Sequence, residues 1–283
     1  MFCIPILTLF TIPFYRKYMI DDHQKATTID WTGGALLVGM VVLFLLTVMN
    51  GTWMLGVGGI VLLGLFIVRI KSTAEPFIQP SLFQNKSYSL QLVISFLVSG
   101  MGYAISFLNP LLFAEIHHLA TEWIGLAMFP SALIAALLGR KGGKLADRRG
   151  NSFLFYIASI LLLICFILLS SVTETSPIII SLILIFGQVG QTFMVIAMSN
   201  NISQTLPPKQ TGVGMGLLAL LNFIGMSFSA AIYSKIVDLG IPSNPIRFNP
   251  TIIYSNIYLY LAVLYGSILL FYRFYFGRKT NEK

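Results

Sequence analysis

Charged side chains are scarce in this chain. Only 10% of the 283 residues are Asp, Glu, Lys or Arg, and 56% are hydrophobic. Soluble domains carry about 25% charged residues. A soluble core could not hide this much apolar surface behind so few charges, and the mean hydropathy of +0.83 agrees. The composition excludes an ordinary soluble protein and indicates a membrane protein that lies in a lipid bilayer.

Cysteines and acids are also few. Cys3 and Cys165 both lie inside apolar runs, where cysteine usually acts as a small buried hydrophobe. This excludes a disulfide framework and a cysteine metal site. The 18 basic residues against 10 acidic ones would suggest nucleic acid in a soluble protein. In a membrane protein they indicate cations retained on the cytoplasmic side, so we expect no nucleic-acid partner.

Long apolar runs fill most of the chain, and each is long enough to cross a bilayer as a helix, which takes about 20 residues. No connection between them is long enough for a soluble domain. The sequence therefore predicts an all-α polytopic membrane protein with about eight full transmembrane helices. The predicted spans are 31–49, 52–70, 88–113, 123–139, 152–171, 177–200, 212–236 and 253–275.

The first residues form a shorter apolar run that carries Pro5 and Pro13. It is too short for a full span, and no basic residue precedes it as in a signal peptide. Arg16 and Lys17 follow it instead. We interpret residues 1–19 as the last part of a transmembrane helix.

Orientation follows from the basic residues. If residues 16–30 lie inside and the spans alternate, every Lys and Arg except Lys235 and Arg247 falls on the inner side. This distribution follows the positive-inside rule. We expect a multi-pass protein of the cell membrane with a cytoplasmic carboxy terminus.

One inner connection, GRKGGKLADRRGN at residues 139–151, holds five cations and a single acid. A phosphate-binding loop is disfavoured because Gly143-Lys144 is followed by Leu145 rather than Ser or Thr. Two interpretations stay open for this cytoplasmic loop. In the first interpretation, the loop only sets the orientation of the chain in the membrane. In the second, Asp147 forms a local salt-bridge network, and Gly142 and Gly143 allow a tight turn and the close approach of a neighbour.

Residues 143–150, GKLADRRG, resemble the G-x-L-A-D-R-x-G signature of the major facilitator superfamily. In that family the signature lies between the second and third helices of a six-helix domain. Counting from it assigns 73–283 to a C-terminal six-helix transporter domain and 20–72 to an inserted helix pair, after the helix remnant at 1–19. This layout resembles the fourteen-helix drug/proton antiporters, and it implies that an N-terminal six-helix domain is missing from this chain.

The resemblance also implies a role for the signature. In the family this loop packs against a helix of the opposite domain in one access state and so acts as a cytoplasmic gate. The matching residues are Gly143, Leu145, Ala146, Asp147, Arg148 and Gly150. The implied activity is proton-coupled export of a small amphipathic or cationic drug.

This sequence departs from the family pattern at two places. Asn151 and Ser152 follow the signature where basic residues are usual, and Met226 stands where the tetracycline exporters of this type have a glutamate. No Asp or Glu lies well inside a predicted span. A membrane-embedded coupling carboxylate is therefore not found in the sequence.

Several amides do lie at membrane depth. Such residues usually form hydrogen bonds between helices, but those nearest mid-span could line a central cavity. We interpret Gln188, Gln191 and Asn222 as the candidate substrate cavity. The full set of embedded amides is Asn109, Gln188, Gln191, Asn200, Asn201 and Asn222.

Two other functions compete with transport as interpretations of the sequence. A non-transporting remnant, or an assembly partner for another polypeptide, is favoured by the absent first domain. A membrane enzyme is disfavoured because no His/Glu or Ser/His constellation lies at membrane depth. Three histidines in the chain, including the pair His117-His118, make a metal site improbable, and no cofactor is expected.

Overall fold

The computed structural model describes residues 30–73, 76–239 and 250–280. Eight of its helices are long and apolar enough to cross a membrane, which confirms the predicted all-α polytopic fold. The predicted remnant at residues 1–19 lies outside the described residues. The helices are α1 Trp31–Asn50, α2 Trp53–Ser72, α3 Lys86–Glu115, α4 Thr121–Arg149, α5 Asn151–Ser171, α6 Pro177–Gln204, α7 Thr211–Leu239 and α8 Pro250–Thr280, with short 3-10 helices at Pro80–Gln84 and Pro208–Gln210.

Helices α1 and α2 form a hairpin. It turns at Gly51, whose φ of 68° lies in the left-handed region that glycine adopts without strain. Only Gly33 and Leu37 of α1 and Gly59 and Phe66 of α2 are buried, as expected for helices that face lipid. Within the described chain, α1 also packs against α7. The hairpin is thereby attached to one side of the remaining six helices.

Helix α3 lies at the centre of these six helices and contacts α4, α6, α7 and α8. Leu108, Leu112 and Phe113 on this helix are fully buried. Helix α6 packs along α4 and α5, and α5 packs along α8. Pro110 and Pro130 lie inside α3 and α4, and both helices continue through them.

Hydrogen bonds define the two ends of the bundle. At one end Asn85 donates to the Thr205 carbonyl and Tyr88 to the Gly214 carbonyl. At the other, Lys235 donates to the Met49 carbonyl, 3.3 Å away. In the described residues, every Lys and Arg except Lys235 lies at or near the first end. We call this the basic end; the sequence predicts that it faces the cytoplasm.

The connection between α4 and α5 differs from the prediction. Residues 139–151 were expected to form a loop, and one of the two open interpretations placed a tight turn at Gly142 and Gly143, but α4 continues as a helix to Arg149. Its 29 residues give a length of about 43 Å, whereas the apolar bilayer core is about 30 Å thick. The backbone hydrogen bonds of a helix do not end where the apolar run ends, so the basic segment is a helical extension beyond the membrane.

Candidate functional site

One face of this extension packs against α6. Gly142 and Ala146, one helical turn apart, are both buried. A Cβ atom at Gly142 would lie 2.7 Å from two ring carbons of Phe193, closer than real Cβ atoms come. Leu145 is half-buried against the core. The sequence prediction that a glycine here permits close approach of a neighbour is confirmed at Gly142.

The neighbouring face, which carries Gly143 and Asp147, is open. Apart from the adjacent residues and the backbone of the same helix, no described atom lies within 4 Å of the Cβ position of Gly143 or of Gly150. Asp147, one turn beyond Gly143, is exposed, and so is Arg148. Asp147 makes no ion pair with any side chain that the structure describes. The predicted local salt-bridge network is therefore absent from this part of the chain, and the acid stays available to an outside partner.

Gly150 produces the actual turn. Its φ of 87° is a backbone conformation that other residues rarely adopt. Its N–H donates to the Ala146 carbonyl at 2.8 Å, which ends α4, and α5 begins at the next residue. The Arg149 guanidinium lies 5.1 Å from the centre of the Phe153 ring across this turn.

Asn151 and Ser152, which follow the signature segment, belong to a polar cluster at the basic end. Asn200 donates to Asn151 at 3.3 Å, and Asn201 donates to the Tyr272 hydroxyl at 3.2 Å. The Ser152 and Tyr272 hydroxyls lie 3.3 Å apart. These contacts join the start of α5, the end of α6 and α8. Asn200 and Asn201 are therefore explained by interhelical hydrogen bonds.

The three candidate cavity residues are not brought to one point. The Asn222 side chain accepts a hydrogen bond from Ser95 at 3.0 Å, across α3 and α7. Gln191 lies against Gly102, across α3 and α6. Ser95 and Gly102 are seven residues apart on one face of α3, or about 10 Å.

Their surroundings differ as well. Gln188 is half-buried on α6, as is Gln191. The Gln191 Oε1 atom is shielded from solvent and has no hydrogen-bond partner among the described residues. Among the described residues, Asn222 is the one of the three amides with the interhelical hydrogen bond that usually explains such residues.

A row of tyrosines on α8 is a feature that the sequence interpretation missed. Each hydroxyl contacts another helix: Tyr254 donates to Glu115 at 2.7 Å, Tyr258 to Asn109 at 3.2 Å and Tyr265 to the Val98 carbonyl at 3.0 Å. The spacings of four and seven residues place them on one helical face. This spacing is visible in the sequence and could have indicated a helical face that contacts other helices.

Asp30 is a second missed feature. It begins α1 and accepts hydrogen bonds from Gly33 N–H at 3.0 Å and Phe77 N–H at 3.3 Å. Arg69, at the end of α2, forms an ion pair with it at 3.2 Å. The pKa of Asp30 lies below its usual 3.8, mainly because the Gly33 N–H donates a hydrogen bond to the carboxylate. Burial raises this pKa, and hydrogen bonds from Thr32, Phe77 and Arg69 lower it further. The Asp30 carboxylate therefore links the start of α1 to the end of α2 and to Phe77, which precedes α3.

The remaining described carboxylates lie at helix ends or in connections. Glu115 and Glu122 flank the turn between α3 and α4, Glu174 precedes α6 and Asp238 is near the end of α7. The positions agree with the sequence analysis, which found no Asp or Glu well inside a span.

Comparisons with known proteins also indicate a membrane transporter. A riboflavin transporter, RibZ of Clostridioides difficile, is 24% identical over 280 residues, which are 96% of this chain and 60% of that protein. The probable transport protein HsrA of Haemophilus influenzae is 25% identical over 78% of this chain and 50% of its own length. The lincomycin resistance protein LmrB of Listeria innocua is 25% identical over 65% of this chain and 39% of its own length.

The chain therefore spans about 60% of RibZ and less of the other two relatives. The model of the Major Facilitator Superfamily matches residues 31–230, from the first residue of α1 to about two thirds of the way along α7. That match covers more than half of the chain and includes the whole signature segment, residues 143–150. The chain belongs to the Major Facilitator Superfamily of membrane transporters.

Proposed function

We propose that this chain is the C-terminal part of a proton-coupled efflux antiporter, and that its signature segment is a cytoplasmic gate. The proposal rests on one observation: the signature segment has one face packed against α6 and another face that is open. Gly142 and Ala146 fix the helix on α6, while Gly143 and Asp147 point away from the bundle with no partner in the described chain. A glycine beside an exposed acid offers a close, charged contact to a second helix.

In this proposal the second helix belongs to an opposing six-helix domain, on the same or on another polypeptide. The contact forms in one access state and breaks in the other, so it changes the relative free energy of the two states. Gln188, Gln191 and Asn222 are proposed to line the cavity between the domains, as the sequence predicts. The Gln191 Oε1 atom has no partner among the described residues, but it is shielded against α3, so in this proposal a substrate reaches it only when α3 and α6 move apart.

The names of the relatives suggest a small organic cargo. One relative is a riboflavin transporter and another is a lincomycin resistance protein. We propose a small amphipathic or cationic drug as cargo, exported in exchange for protons. The coupling carboxylate is left open by this proposal, since the described acids lie at helix ends.

Dye efflux tests the gate. Cells that express the chain are loaded with ethidium, and energy-dependent loss of fluorescence is compared between Gly143→Leu and Gly125→Leu. Both glycines lie on α4 with open Cβ positions, at opposite ends of the helix, and leucine favours a helix more than glycine does. We expect slow efflux for Gly143→Leu and for Asp147→Ala, and unchanged efflux for Gly125→Leu. Equal rates for all three variants would remove the gate role.

The same open face favours one alternative, a non-transporting remnant or an assembly partner in the membrane. Efflux from cells that express only these 283 residues would exclude it. Conversely, a folded, membrane-inserted chain that never moves ethidium under any proton gradient would exclude transport by this chain alone.

A further inference from the structure

A groove of about 590 Å³ lies between the hairpin and the six-helix part, toward the end opposite the basic end. Leu45 and Met49 of α1 line one side, and Tyr103 and Phe107 of α3 lie across from them. The rest of the lining comes from α7. These α7 residues are Phe223, Met226, Ser227, Ala230, Ala231 and Ser234. We call this space the outer groove.

The groove has the size and lining of a small-molecule site. Ligand pockets usually measure about 300–1,000 Å³ and combine apolar walls with a few polar groups. The α7 lining extends from Phe223 to Ser234, which is about 17 Å along a helix. Met49 and Met226 have flexible thioether side chains, which can adapt to ligands of different shapes.

Aromatic rings form a row beside it. The ring centres of Tyr103 and Phe107 are 6.1 Å apart, and those of Phe107 and Tyr233 are 6.4 Å apart. Phe223, which is 67% exposed, lies at the edge of the groove. Aromatic rings pack favourably against other rings at such separations. The row therefore favours a ligand that is itself aromatic.

Two hydroxyl groups in the groove have no hydrogen-bond partner among the described residues. They belong to Tyr103 and Ser234, both of which are half-buried. Ser227, in contrast, donates to the Phe223 carbonyl of its own helix at 2.9 Å. Unpaired hydroxyls are costly in an apolar environment. A ligand with its own hydrogen-bonding groups would pair with them, whereas an acyl chain would not.

Charge also selects among ligands. No lining residue is acidic or basic. The cation nearest in sequence is Lys235, which follows Ser234 and donates to the carbonyl of Met49, a lining residue. A charged ligand of either sign would lose hydration in the groove and find no lining side chain of opposite charge. The groove therefore favours an uncharged ligand.

We propose that the outer groove binds an uncharged aromatic amphiphile, and that the hairpin supplies one wall of the site. The groove is a ligand site for transport only if the proposed transport function holds. It narrows the ligand from amphipathic or cationic molecules to uncharged aromatic ones. It also gives α1 a direct role in ligand contact.

Thiol protection measures binding without transport. A cysteine is introduced by Ser234→Cys in the groove or by Ser171→Cys, at the exposed end of α5 on the same side of the bundle, each in a Cys3→Ser background. The purified full chain in liposomes reacts with N-ethylmaleimide, with and without Nile red, an uncharged aromatic dye. With the dye at about ten times its Kd, we expect about tenfold slower labelling at position 234, because only the empty fraction reacts. Labelling at position 171 should not change.

Filling the groove is the second arm. Leu45→Trp adds an indole to the hairpin wall, and Leu46→Trp adds the same group at a neighbouring position outside the lining. Protection of position 234 should disappear with Leu45→Trp and persist with Leu46→Trp. The Leu46→Trp variant also shows whether an added indole disturbs folding of the hairpin.

The remaining outcomes separate the alternatives. No protection, or equal protection at position 171, overturns the site. Equal protection by ethidium overturns the selection against cations. Equal protection by oleic acid shows a lipid site and overturns the aromatic assignment. Protection in a chain that exports neither ethidium nor Nile red keeps the groove and rejects transport by this chain.

Discussion

Two adjacent glycines in α4 give the sharpest test of the packing against α6. Alanine in a helix interior is more stable than glycine by about 1 kcal/mol, and this gain applies equally to Gly142→Ala and Gly143→Ala. At Gly142 the new Cβ would lie 2.7 Å from the Phe193 ring and 3.4 Å from the Ile196 Cδ1 atom. Phe193 is only 8% exposed, so it has little room to move.

Overpacking of this kind typically costs about 1–3 kcal/mol. We therefore expect Gly143→Ala to be about 1 kcal/mol more stable than the parent, and Gly142→Ala to range from about neutral to about 2 kcal/mol less stable. The free energies of unfolding of the two variants should differ by about 1–3 kcal/mol.

Unfolding in detergent micelles, followed by circular dichroism, measures this difference. Both variants are purified and heated side by side, and the order of their midpoints is the result. A Gly142→Ala midpoint at or above that of Gly143→Ala would show that α4 does not pack on Phe193 as described. The division of the signature segment into a packed face and an open face would then be refuted.

Three further predictions concern the rest of the bundle. The folded-state pKa of Asp30 is lowered, so its stabilising contribution is present above about pH 4 and is lost as the pH falls through the lowered value. Acid should therefore increase proteolysis of the hairpin in the parent protein. The hairpin of Asp30→Asn should be equally sensitive to the protease at all pH values. Tyr258→Phe removes the bond to the buried Asn109 and should cost about 1 kcal/mol in thermal unfolding, whereas Tyr260→Phe, on a side chain that is 73% exposed, should change nothing. At Gly225 an added Cβ would lie 2.8 Å from the Phe96 carbonyl oxygen, so Gly225→Ala should separate α3 from α7 and lower the unfolding midpoint more than Gly216→Ala, whose Cβ position is open.

The spans themselves could be predicted because apolar composition and bilayer thickness act on every residue of a run. The predicted span 31–49 and helix Trp31–Asn50 differ by one residue. The prediction failed at α4, where it equated the end of the apolar run with the end of the helix. Ala146 and Leu145 favour a helix in water as well, and the packing of Gly142 on Phe193 is a contact between distant parts of the sequence.

The candidate site was less accessible to sequence interpretation. The signature segment could be located from its residues, but its two faces depend on where α6 lies. The contact of Asp30 with Arg69 joins residues 39 apart, and no local pattern indicates it. The outer groove depends on the docking of α1 against α7, which the sequence does not encode in any short motif.

Two carboxylates at the basic end illustrate how partners determine roles. Asp30 is 8% exposed and accepts hydrogen bonds from the backbone, from Thr32 and from Arg69, so it has little capacity left for another contact. Asp147 is exposed and unpaired among the described residues. Removing the charge of Asp30 should therefore loosen the hairpin whether or not the protein transports. Asp147→Asn should leave thermal unfolding unchanged and alter only the movement of cargo, since the contact that it makes in the proposed gate lies outside the described bundle.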